Sequence, residues 1–356
     1  MKKLFCLFIS LLVIIGCMLM PASAQSPAEG SFTVFCYNVA GLPDIGFITG
    51  DEPKNVINNQ TSIGRYVEEN GFDIFAVQED FGYHDNLVSC IPSYKYSTQH
   101  HGGVPYGDGT NIFTKSMPMY NEKHIPWEKL YGLADDGADE LSQKGITYCC
   151  IEIAEGIYID FYDIHADAYG DAGSCEARED NFRQLKELIN GRTTDRAVIV
   201  TGDFNEYLFG DATNMGANLV EGAGLKDAWV EVCNNGNYDD CSYYLQNMGS
   251  SWTQKWGVWD SVERFMYKDG GGVHLECTSF EYIDVKNSAG KSCSDHRSAL
   301  GGFTFTFDGV TVTEPEDKSS GKESGISEFF RRVVQFFRAL ILALTNFDTI
   351  REYLGI

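Results

Sequence analysis

The run Val198-Ile199-Val200-Thr201, which stops at Gly202-Asp203-Phe204-Asn205, constrains this chain more than any other stretch. Its apolar part is too short for a helix and rich in β-branched residues, so it reads as a buried strand. Side chains alternate along a strand, so Asp203 and Asn205 can point the same way. They would sit at the strand's carboxyl end, where sheet proteins tend to place their sites. A carboxylate beside an amide suits a hard cation and a phosphate. The same residues also describe an Asx turn that closes a strand. What decides is whether other strand ends carry matching polar groups.

They do. Phe32 to Tyr37 alternates and ends at Asn38-Val39. Residues 55–69 have a helical pattern with Ile63, Tyr66 and Val67 apolar, closed by Gly71. Asp73-Ile74-Phe75-Ala76-Val77 is a second buried strand, ending at Gln78-Glu79. Residues 80–110 are rich in loop signals, Ile112 to Thr114 is a short strand, and 121–143 is acidic and irregular. Strands are expected over 145–153 and 156–164, the second ending at His165. Residues 177–190 form an amphipathic helix with Phe182, Leu185, Leu188 and Ile189 on one face. A helix falls near Ala228, a strand begins at Trp259-Asp260, and Ser294-Asp295-His296 precedes the last strand, 302–307. Asn38, Glu79, His165, Asp203 with Asn205, Asp260, and Asp295 with His296 thus form a set of strand-end polar groups. Each alone has a plain structural explanation; together they point to a site.

Length and composition bound the rest. The chain has 356 residues, 43% of them hydrophobic, enough for a large core. Lys2-Lys3, an apolar run from Leu4 to Met20 and Ala22-Ser23-Ala24 read as a secretory signal over residues 1–24. Ile15-Gly16-Cys17 also fits a lipoprotein box, with Cys17 as a lipid anchor. Cleavage would remove two lysines and no acid, taking the net charge from −24 to −26. Such a chain repels polyanions unless cations intervene, which disfavours a nuclease without excluding one. Nine cysteines follow the leader, an odd number, and export favours disulfides, with Cys233–Cys241 the best local pair. Cys149 and Cys150 are adjacent and should face opposite ways. The chain has no Cys-x-x-Cys pair, so zinc is not expected.

Tyr37-Asn38-Val39, Gln78-Glu79, Asp163-Ile164-His165, Gly202-Asp203-Phe204-Asn205, Trp259-Asp260-Ser261-Val262 and Ser294-Asp295-His296 stand in the order seen in the endonuclease/exonuclease/phosphatase superfamily. The chain resembles that superfamily from about Phe32 to Phe307. The resemblance implies a four-layer α/β sandwich, two packed and mostly antiparallel sheets flanked by helices, over residues 29–310. It also implies cleavage of a phosphate ester with Mg²⁺, or with Mn²⁺ or Ca²⁺ in its place. Carried onto this chain, Glu79 would be the main metal ligand, helped by Asn38 and Asp295. His296 would be a catalytic imidazole oriented by Asp260. Asp203 would orient or deprotonate the attacking water, and Asn205 and His165 would donate hydrogen bonds to the phosphate. Asp108, Asn111 and Asp167 read as loop chemistry, Lys144 as a turn lysine, and His100-His101 as exposed loop.

The common site does not choose a substrate. Gln78-Glu79-Asp80-Phe81 and Ser142-Gln143-Lys144-Gly145 resemble sphingomyelinase-type members. Export, acidity and the tail favour a phospholipid head group over nucleic acid. A charged linker over 313–325 leads to an amphipathic helix over 326–350, with an aromatic face and an arginine face. That helix suits a membrane interface or packing on the chain's own domain. A secreted deoxyribonuclease-like enzyme and an inactive binding protein on the same fold are the competing readings. No obligate protein partner is implied.

Overall fold

The computed structural model describes residues 28–42, 55–104, 107–132, 139–210, 212–241, 261–309 and 314–315. The expected leader, Asp260, the helix over 326–350 and all of the linker except residues 314–315 lie outside these. Two six-stranded sheets carry the fold. In the first, the order is β11 (Val273–Ile283), β12 (Ser298–Phe307), β1 (Ala28–Asn38), β2 (Ile74–Gln78), β4 (Asn111–Thr114) and β3 (Tyr96–Ser97). In the second it is β5 (Met119–Pro126), β6 (Gly145–Ala154), β7 (Ile157–His165), β8 (Ala197–Asp203), β10 (Glu263–Lys268) and β9 (Lys226–Asp227). Pairing is antiparallel except for β1 with β2 and β7 with β8. Each parallel pair is joined by a crossover helix, α1 (Val56–Asn70) and α3 (Ala172–Asn190), as a parallel connection requires, and the short α2 (His84–Val88) falls between them in the chain.

Strand alternation builds the layers. On β1, Phe32, Val34 and Cys36 join the core between the sheets, whereas Phe35 and Tyr37 pack towards Ile63 and Val67 of α1. On β8, Ala197 and Ile199 face the inter-sheet core, and Val198 and Val200 meet Phe182, Leu185 and Ile189 of α3. Four layers result: helix, sheet, sheet, helix. The inter-sheet core is closed by aromatic contacts such as Phe32 on Phe303 (5.7 Å) and Phe265 edge-on to Phe303 (6.0 Å). Each such buried ring contributes on the order of 1.5–3 kcal/mol.

Several boundaries differ from the sequence expectation. Helix α3 starts at Ala172 rather than near Ala177, because Asp171 caps it by accepting from Gly173 N (2.8 Å) and Ser174 N (3.1 Å). The acidic stretch expected to be irregular begins with β5, an edge strand whose period is broken by a register shift between Tyr120 and Lys123. No disulfide forms among the described residues, so the expected Cys233–Cys241 pair is corrected. Cys36, Cys149, Cys150 and Cys277 are instead buried in the inter-sheet cluster as small apolar side chains.

Gly202 shows how tightly the second sheet is built. Its φ is +137°, and a Cβ there would lie 2.0 Å from the Ile164 carbonyl oxygen of β7. Gly202→Ala is expected to destabilise the fold by about 3 kcal/mol or more, from strain and backbone displacement together. Urea unfolding of variant and parent measures it.

Candidate active site at the polar end of the sandwich

The inward-facing positions that are apolar along each strand turn polar at one end. On β1 the series Phe32, Val34, Cys36 continues to Asn38; on β2, Ile74 and Ala76 continue to Gln78. On β7, Ile157, Ile159 and Phe161 continue to Asp163 and His165, and on β8, Ala197 and Ile199 continue to Thr201 and Asp203. On β10, Tyr267 and Phe265 lead back to Glu263. Register sets His165 and Glu263 on either side of Asp203.

Buried polar groups need partners, and here the two sheets supply them to each other. Asn38 Nδ2 donates to Asp203 Oδ2 across the sandwich at 2.9 Å and to Glu79 Oε1 at 3.1 Å. Gln78 Nε2 donates to Asp163 Oδ1 at 2.5 Å in a second bridge between sheets. His165 Nε2 and His296 Nδ1 lie 3.5 and 3.7 Å from Asp203 Oδ2. Asn205 N donates to the other oxygen, Asp203 Oδ1, at 2.9 Å. The side chain of Asn205 donates to the Ala166 carbonyl at 3.0 Å, tying the β8 loop to the β7 loop. Ser294 Oγ donates to the Asn38 carbonyl (2.8 Å) and accepts from His296 N (3.0 Å), which docks the Ser294-Asp295-His296 turn on β1.

Glu79 follows β2 with a φ of +56°. Its carbonyl accepts from Gly41 N (3.1 Å) and Phe81 N (2.9 Å), and a Cβ on Gly41 would sit 2.4 Å from that oxygen. A side chain held in so sparsely populated a backbone region is a recurrent feature of functional sites. The structure therefore brings together Asn38, Glu79, His165, Asp203, Asn205 and His296. Asp295 is exposed on the same turn and close enough to raise the Glu79 carboxyl electrostatically.

The carboxylate on His296 is Glu263, whose Oε1 is 2.5 Å from Nδ1. Glu263 lies three positions on from Asp260, the expected partner, which is outside the described residues. Strand parity on β10 was the signal that could have found it. Lys144 is not a turn lysine at the surface. It is buried, paired with Asp139, and 3.5 Å from the Ala166 carbonyl. His100 and His101 are not exposed loop either. His100 stacks on His84 at 3.9 Å, and His101 meets Asp108. Asn111 donates to Asp80 Oδ2 (3.1 Å), and Asp167 Oδ2 accepts from Tyr131 N (2.7 Å).

Charge is unevenly distributed. Burial raises the Glu79 carboxyl, although Lys144 and Asn38 oppose it. Burial works against charge on His296, but Asp203 and Glu263 outweigh it and hold the imidazole up to about 10. Burial keeps His165 neutral, and the positive Lys144 and His296 push the same way. Burial would lower Lys144, yet Asp139 and then Glu79 and Asp203 hold it above its ordinary value. Glu79, Asp203, Glu263 and Asp295 outnumber the cations Lys144 and His296, and Asp139 already pairs with Lys144. The donor set is hard oxygen from Glu79, Asn38 and Asp295. A hard divalent cation fits both the charge and the donors.

The two sheets and their helices form a deoxyribonuclease-I-like α/β sandwich, the fold shared with an endonuclease/exonuclease/phosphatase family protein of Bacteroides thetaiotaomicron (TM-score 0.53, 17% identity, covering 79% of this chain and 99% of that one). No protein-family model matches the chain. In sequence it is 28% identical over 304 residues to a sphingomyelinase of Mycobacterium bovis, an alignment covering 80% of this chain and 55% of that protein. The chain thus spans about half the length of the relatives it matches. Among solved structures, Danio rerio TDP2 complexed with a single-strand DNA product superposes with a TM-score of 0.55 at 17% identity, covering 77% of this chain and 99% of that one. Staphylococcus aureus beta toxin with bound magnesium ions gives 0.52 at 16%, covering 76% and 99%.

Asp167 gives a pH test of this electrostatic picture. Burial and then Asp139 push its carboxyl up to about 7, against about 3.9 in an unfolded chain. A raised folded value means the native state holds the extra proton. Its stability contribution is complete below about pH 4 and is lost as pH rises through about 7. Asp167→Asn should therefore gain stability relative to the parent at pH 8 and not at pH 4, as read by urea unfolding at both values.

Proposed function

We propose that this chain is a secreted Mg²⁺-dependent phosphodiesterase that cleaves the head group from a membrane phospholipid such as sphingomyelin. The observation that carries the reading is the single oxygen Asp203 Oδ2, approached by Asn38, His165 and His296 beside the half-buried Glu79. That arrangement suits in-line attack of water on a phosphodiester. The relative named as a sphingomyelinase supports the lipid, and the leader at residues 1–24 supports export.

Glu79, Asn38 and Asp295 would hold the cation. When bound, it supplies Lewis-acid stabilisation of the phosphoryl oxygens and the leaving alkoxide. Asp203 accepts the proton of the attacking water. Its two oxygens are held by Asn38 and by the Asn205 backbone, so it is pre-aimed. Asp203 and Glu263 beside His296 favour its charged form, which suits it to donate a proton rather than to accept one. Its Nδ1 is engaged by Glu263, so Nε2 is the atom that presents a proton to the phosphate as charge develops. His165 and Asn205 line the same mouth and orient the phosphate. A cleft of about 500 Å³ opens beside His296, with Tyr207, Ser261, Tyr282 and Asp295 among its lining.

A nuclease reading is favoured by one observation, the shared fold of TDP2 bound to a DNA product. The net charge of −24 opposes it. Sphingomyelin vesicles and DNA, single-stranded and duplex, supplied side by side with Mg²⁺, separate the two. Lipid cleavage with DNA left intact is expected; DNA cleavage alone would replace the lipid reading. Asp203→Asn and His296→Ala should each lower kcat by about 10³-fold, in the range of lost proton transfer and charge stabilisation. Glu263→Gln should lower kcat with little change in KM, since it acts through His296; an unchanged kcat would remove Glu263 from the mechanism.

A further inference from the structure

Three side chains outside the candidate active site converge on one point. Asp108 lies in the loop before β4, His101 precedes it in that loop, and His124 comes from β5. Both histidines aim Nδ1 at the same carboxylate oxygen, Asp108 Oδ2, from 2.6 Å for His124 and 3.3 Å for His101. The three side chains are only 9–10% exposed. One ligand atom from each lies within 4.8 Å of the others. The imidazole rings are 3.7 Å apart between centroids and tilted by 50°, so two protonated rings would repel strongly.

The surroundings resemble those of a metal ligand set. His124 Nε2 lies 2.9 Å from Glu122 Oε1, and Asp108 Oδ1 accepts from Thr110 N at 3.2 Å. A ligating histidine that gives its second N–H to a carboxylate, and a ligating carboxylate whose free oxygen is hydrogen-bonded, are what orient first ligands around an ion. From this geometry we infer that His101, Asp108 and His124 form a second metal site, selective for a borderline transition-metal dication and best matched by Zn²⁺.

The chemistry of the donors sets the choice. Two imidazole nitrogens and one carboxylate oxygen make a three-ligand zinc set that leaves a fourth position for water. Mg²⁺ and Ca²⁺ prefer oxygen donors, which is the character of the separate Asn38, Glu79 and Asp295 set. Asp108 and Glu122 together balance the charge of a dication. Cysteine spacing gave no hint of zinc, because these ligands are histidines and an aspartate brought together by the β5 edge strand. The ion would clamp the 101–108 loop to β5. Gly109, next to Asp108, accepts from Asp80 N at 2.9 Å, so the clamp backs the segment that carries Glu79.

The full chain, stripped with a chelator and kept in excess Mg²⁺, is titrated with Zn²⁺ against a chromophoric chelator. One Zn²⁺ per chain is expected, with a rise in Tm. His101→Gln and His124→Gln should abolish this stoichiometric uptake, Glu79→Gln should keep it, and Glu122→Gln should weaken it about 10-fold or more. Co²⁺ bound to the parent chain should give the visible absorption of a nitrogen-ligated, low-coordinate ion, a readout that needs no variant to fold. A parent chain that takes up no Zn²⁺ overturns the proposal. So does uptake unchanged in both folded histidine variants, or uptake lost in folded Glu79→Gln.

Discussion

One carboxylate oxygen organises this molecule. Asp203 Oδ2 ends the inward face of β8, and Asn38, at the end of β1 in the other sheet, donates to it. With the Gln78–Asp163 bridge beside it, that bond joins two sheets whose contact further along the strands is apolar. Its geometry requires both parallel pairs to end at the same level. The histidines that approach the same oxygen come from β7 and from the turn before β12, so the position of every group depends on the register of four strands. Shift one strand by one residue and its polar end would face a helix layer.

Placing so much polarity at the end of a core is costly, and the molecule offsets it unevenly. Asn38, Gln78 and Glu263 find partners across or along the sheets. Glu79 is half-buried, desolvation raises its carboxyl, and its backbone sits at positive φ. The excess of carboxylates over cations is the kind of imbalance that a bound dication relieves. Strain and charge are concentrated where the strands end, and the remainder of each strand is ordinary apolar packing.

Apolar runs explain which site residues are legible. Asn38, His165 and Asp203 each close one, so their place at a strand end can be read from the letters, whereas strands buried on both faces leave the direction to the structure. Glu263 is not legible, because the stretch from Trp259 to Tyr267 offers Asp260 and Glu263 alike and only register sets Glu263 opposite Asp203. Lys144 reads as a turn lysine and His100-His101 as exposed loop because loop composition says nothing of burial. Their partners, Asp139, His84 and Asp108, lie in a single 3-10 turn, a short helix and irregular chain, where no periodicity fixes a contact. The cysteines were judged by compartment, yet four lie inside the sheet-to-sheet core, where their volume matters more than their redox chemistry.

By itself the sequence determined the alternation of apolar strands, the two crossover helices, and the polar residue that closes each strand, because these are periodic and local. Only the tertiary structure decided which carboxylate meets His296, how the two sheets share Asp203, and that a loop aspartate would collect two histidines. Those outcomes depend on register and on packing between segments far apart in the chain, and no local pattern encodes a distance across a sandwich.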